Sequence, residues 1–60
     1  MDKTKALIEK IMVMQNAMNN EFQAIVLKGN KSAARRARLL SHEMAKVLKE
    51  FRKVSIDEVV

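Results

Sequence analysis

Sixty residues carrying a net charge of +5, with no cysteine, no proline and one glycine, make a single small domain at most. A chain this short buries only about 60% of its unfolded surface, and the absence of cysteine removes both disulfides and thiolate metal sites, leaving self-association as the means of adding core. One histidine, His42, cannot build a metal site, and no nucleophile–base pair or glycine-rich phosphate loop is present, so no enzyme, metal, cofactor or small-molecule substrate is expected.

The composition is rich in Ala, Leu, Met, Lys, Arg and Glu, the better helix formers, and predicts an all-α fold. A first helix is expected from about residue 3 to residue 28, with Asp2 or Thr4 available to cap it. Leu7, Ile11, Met14, Met18, Phe22 and Ile25 form one stripe along it, and Ile8, Met12 and Val26 widen that stripe. A stripe this broad needs more than one neighbour, which predicts a homo-oligomer, at least a homodimer and most simply two hairpins in a four-helix bundle, with a loosely packed monomeric hairpin as the alternative. Glu9 and Lys10 interrupt any apolar core that a signal peptide would need, and no apolar run reaches membrane-spanning length. A cytoplasmic protein with no membrane partner is therefore expected.

Lys28-Gly29-Asn30-Lys31 is the one strong break. Gly29 suits the left-handed residue that closes a helix and Asn30 the N-cap of the next, so a short turn joins two antiparallel helices. The second helix is expected over residues 31–54. Ala33, Ala37, Leu40, Met44, Val47, Phe51 and Val54 repeat on it at spacings of four and three, the pattern of a packed seam. Residues 55–60 are expected as a short tail beyond a 1–54 hairpin. Ser55 and Glu58 resemble a capping box with too little chain after it to form a helix.

Charge divides at the turn. Residues 28–53 hold nine basic groups against Glu43 and Glu50, whereas residues 1–27 hold three of each sign. At 100° per residue, Lys28, Lys31, Arg35, Arg38, Lys46, Lys49 and Lys53 share a face roughly opposite the seam. A helix dry on one edge and cationic on the other packs against protein and meets a polyanion at the same time. Lys31 to Lys53 spans ~33 Å of helix, close to one turn of duplex at about 34 Å. Phosphate-directed binding to duplex DNA is the favoured reading, because no Asn or Gln sits centrally on the basic face and neither Phe is free to stack on bases. RNA, an acidic protein partner or a membrane surface are the alternatives. His42 lies within the basic face and reads as exposed, with added positive charge at mildly acid pH as the other possibility.

From the turn onward, Gly29-Asn30-Lys31-Ser32-Ala33-Ala34-Arg35-Arg36-Ala37-Arg38, followed by Lys49-Glu50-Phe51-Arg52-Lys53-Val54-Ser55, resembles the bacterial linker-histone-like proteins of the chlamydial type. The likeness is to their short stand-alone form, without a tail rich in Lys, Ala and Pro. About half of the chain carries it. The resemblance implies a histone-like, DNA-binding nucleoid protein, and it marks Lys31, Arg35, Arg36, Arg38, Arg52 and Lys53 as matched basic positions.

Overall fold

The computed structural model describes residues 1–59, which form two helices, α1 (Asp2–Lys28) and α2 (Lys31–Glu58). They lie antiparallel as a hairpin, in a rod 43 × 15 × 13 Å. Among the described residues no helix is long and apolar enough to cross a membrane.

The turn follows from two residues. Gly29 takes φ 59°, ψ 33°, the left-handed conformation that costs a side chain least when the side chain is hydrogen, and its N–H donates to the Ile25 carbonyl at 2.8 Å. Asn30 is extended, and its Oδ1 accepts from the Ala33 N–H at 3.1 Å, satisfying one of the donors a helix start leaves free. Nothing lies within 4 Å of where a Gly29 Cβ would stand. Gly29→Ala therefore tests backbone strain alone. We expect it to cost about 1 kcal/mol, read as a fall in Tm of roughly 4–8 °C.

Ile11 and Met18 of α1 and Ala33, Ala37 and Val47 of α2 are the buried apolar residues, spread along the seam. Leu7, Met14, Ile25, Leu40, Met44, Phe51 and Val54 are partly covered around them. Ala33 is wholly inaccessible, since beside a two-residue turn the helix axes approach closely and only a small side chain fits. Phe22 remains 50% exposed, and Ile8, Met12, Val26, Leu48 and Ile56 are exposed as well.

The expected tail is corrected here: residues 55–58 continue α2, which stops at Glu58 with Val59 as its C-cap, and only Val60 lies outside the described residues. The reason is a contact across the open end of the hairpin. Glu58 Oε1 accepts from both the backbone N–H and the Oγ1 of Thr4, each at 2.6 Å. Glu58 thus caps the start of the other helix rather than its own, and Thr4, only 2% exposed, lies inside α1 instead of at its cap. Ser55 donates to the Arg52 carbonyl at 3.5 Å and takes no part in a capping box.

The hydrogen bonds from Thr4 hold the Glu58 carboxyl below the usual carboxylate range. A depressed folded-state pKa means that the stabilisation is complete above the unfolded value of about 4.3 and is lost as pH falls through the lower folded value. Acidification below about pH 4 should therefore fray the open end. Glu58→Gln is expected to lower Tm at neutral pH and to remove the part of the acid-side decline that comes from this carboxyl. Thermal melts from pH 7 to pH 3 measure both effects.

Candidate nucleic-acid interface

Turning α2 so that Ala33, Ala37, Leu40, Val47 and Val54 face α1 leaves Lys31, Arg35, Arg38, Lys46, Lys49 and Lys53 on its outer side, all exposed. Arg52 stands at the edge of this face, where it lines a shallow groove with Lys49, Lys53 and Ile56. His42 is exposed among them.

Two of the basic residues expected to meet DNA stand off this face. Lys28 is the last residue of α1, and the reversal at Gly29 breaks the helical phase, so it is exposed at the turn rather than on the α2 face. Arg36 points to the flank, where its Nε donates to Glu21 Oε2 across the hairpin. That hydrogen bond, and then the charge of Glu21, raises the Arg36 pKa further. Glu21 is thus a residue that periodicity on α1 alone does not single out. Its partner lies fifteen residues away, on the helix folded back beside it.

Lys46 Nζ lies 3.8 Å from Glu43 Oε1, and both side chains are well exposed, so the pair is easily exchanged for solvent or another anion. Among the described residues Lys28, Lys31, Arg35, Arg38, Lys49, Arg52 and Lys53 have no carboxylate within ion-pair distance. Six cations are thereby left facing water along α2, with Lys28 exposed at the turn.

The charge order of α2 also runs against its own dipole. Lys31 sits in the first turn, at the positive end, with no acidic residue beside it, and the last turn holds Asp57 and Glu58 with no basic residue. Each such misplacement costs about 0.3–1 kcal/mol at a helix end. In α1 the order is favourable, with Asp2 in the first turn and Lys28 in the last. Lys31 is thus placed at some expense to the helix, and an external anion near the turn would be met by side-chain charge and helix dipole acting together.

A family model described as "Histone H1-like protein Hc1" matches residues 5–59. No curated protein and no solved structure shows a significant match. The family match runs through both helices, the turn and the cationic face, and the chain belongs to the histone H1-like Hc1 family.

Proposed function

We propose that the protein is a nucleoid-associated, histone-like component that works as a homodimer and binds duplex DNA through its phosphates, with little preference for sequence. Family membership supports DNA as the partner and the nucleoid as its place of action. The observation that carries the phosphate reading is the row of exposed cations on the outer side of α2, opposite the packed seam and, apart from the loose Lys46–Glu43 pair, unmatched by carboxylates of the described chain. Arginine at positions 35, 38 and 52 adds a planar fork that engages phosphate oxygens in pairs. A rod 43 Å long can follow phosphates beyond one duplex turn of about 34 Å.

Low sequence preference follows from what the face offers. Its reach is set by long, flexible Lys and Arg side chains. Asn16 and Asn20, on α1, fall on the side away from α2, and no side chain on the cationic face has the amide that pairs with adenine. Dimerisation is supported by the exposed Ile8, Met12, Phe22, Val26, Leu48 and Ile56, a larger apolar surface than a lone hairpin covers.

A salt titration on unrelated duplexes of equal length tests this. The logarithm of affinity should fall linearly with the logarithm of salt, with the same slope for every sequence. A slope near zero, or affinity that follows one sequence, overturns the reading. Tighter retention of duplex RNA than of DNA would move the partner class.

A further inference from the structure

The two flanks of the hairpin differ in kind. On one, the paired Arg36 and Glu21 line a groove with Leu39, Leu40 and Glu43, so that charged side chains stand at its edge. Glu50 and Asp57 continue the Glu43 row at seven-residue spacing. On the other, an open groove runs between Phe22 and Leu48 over Met18 and Met44, and a second lies between Ile8 and Ile56 near the termini. No side chain lining either groove is charged.

Two copies of a chain with a charge of +5 repel each other unless their contact lies where charge is absent. That condition selects this flank, whose two grooves are lined by uncharged side chains and where Arg52, between Leu48 and Ile56 in helical order, stands at the rim beside the cationic face. A face 43 Å long and 15 Å wide is of the order of the ~800 Å² per partner that specific interfaces bury. Building on the dimeric DNA-binding reading above, we propose that a second copy seats on this flank, with α1 of each copy lying over α2 of the other, so that the two cationic faces point in opposite directions and bridge two duplexes.

The arrangement follows from charge and register. α2 carries eight basic and four acidic residues, and α1 four and three. Stacking α2 on α2 would set two strongly cationic helices 8–10 Å apart, within a Debye length of about 10 Å at 0.1 M salt. Stacking α1 on α2 puts them on the diagonal instead. A two-fold axis parallel to the helices produces this packing and keeps neighbouring helices antiparallel. It also preserves the heights set within one hairpin by the Thr4–Glu58 and Glu21–Arg36 contacts. Met12 of one copy is then level with Leu48 of the other, Asn19 with Ser41, and Val26 with Ala34. Apolar meets apolar, and amide meets hydroxyl.

The native chain has no cysteine, so introduced thiols report on this packing directly. Met12→Cys and Leu48→Cys proteins, mixed and oxidised, should give a disulfide-linked dimer, while neither protein alone should. Efficient linkage of Leu48→Cys to itself overturns the arrangement. Leu48→Glu and Ile8→Glu should each weaken self-association at least ten-fold in sedimentation while the far-ultraviolet signal stays helical. Each should still retain a single duplex but lose capture of a second, labelled duplex by an immobilised one. A wild-type chain that sediments as a monomer overturns the dimeric reading itself. A dimeric wild type unaffected by either glutamate overturns only the choice of flank.

Discussion

Replacing Arg35 and Arg38 together by Glu is expected to abolish retention of duplex DNA at physiological salt and to leave helicity at the wild-type level. Both residues are exposed on the outer side of α2 and hold no carboxylate of their own chain among the described residues. Reversing them removes two cations and adds two anions on adjacent turns of the face. If both contact phosphate, two fewer counterions are released, so the salt slope should flatten by about 2. The affinity loss at ~150 mM salt should exceed a hundred-fold, or more than about 2.7 kcal/mol. Arg36→Gln is the internal control. Because Arg36 already binds Glu21, its loss should weaken the hairpin while changing DNA affinity far less than Arg35→Gln. Equal losses from the two single substitutions would show that the Glu21 pairing opens on binding, and unchanged gel retention of the double variant would remove the cationic face from the mechanism.

The second large effect belongs to the close end of the hairpin. Ala33→Leu forces three extra carbons into a site with no accessible surface, one turn past Asn30. Overpacking of this kind costs about 1–3 kcal/mol. A chain of this length holds only about 3–9 kcal/mol in total. The expected fall in Tm is roughly 4–24 °C, measurable by circular dichroism. Ala34→Leu, one residue on and only partly covered, is the comparison and should cost far less. Similar melting of both variants would mean that the helices do not approach closely beside the turn.

Local chemistry made much of this fold legible. Gly29 and Asn30 announce their roles because a left-handed residue and an N-cap are chosen by backbone physics within a few residues. The α2 seam is legible because spacings of four and three have one geometric meaning. What stayed hidden depends on the other helix. Glu58 has a meaningful neighbour only once residue 4 is folded beside it, so its partnership with Ser55 looked like the local motif it is not. Arg36 counted as one more cation until the position of Glu21 across the hairpin set it apart. Its angle on the α2 wheel, well away from that of Lys31, Arg35 and Arg38, was the available signal. Lys28 went astray because helical phase was carried through a glycine that resets it. The breadth of the apolar stripe on α1 was visible in the sequence, but the difference between a neutral and a charged flank required both helices at once.

The length of the rod bears on how DNA fills. At 3.4 Å per base pair, 43 Å shields about a dozen base pairs from any other occupant. Molecules landing at arbitrary positions leave intervals shorter than that, which no further molecule can enter. Coverage of long DNA should therefore climb quickly and then creep, as bound molecules shuffle to merge the gaps, and full coating should demand a large excess of protein.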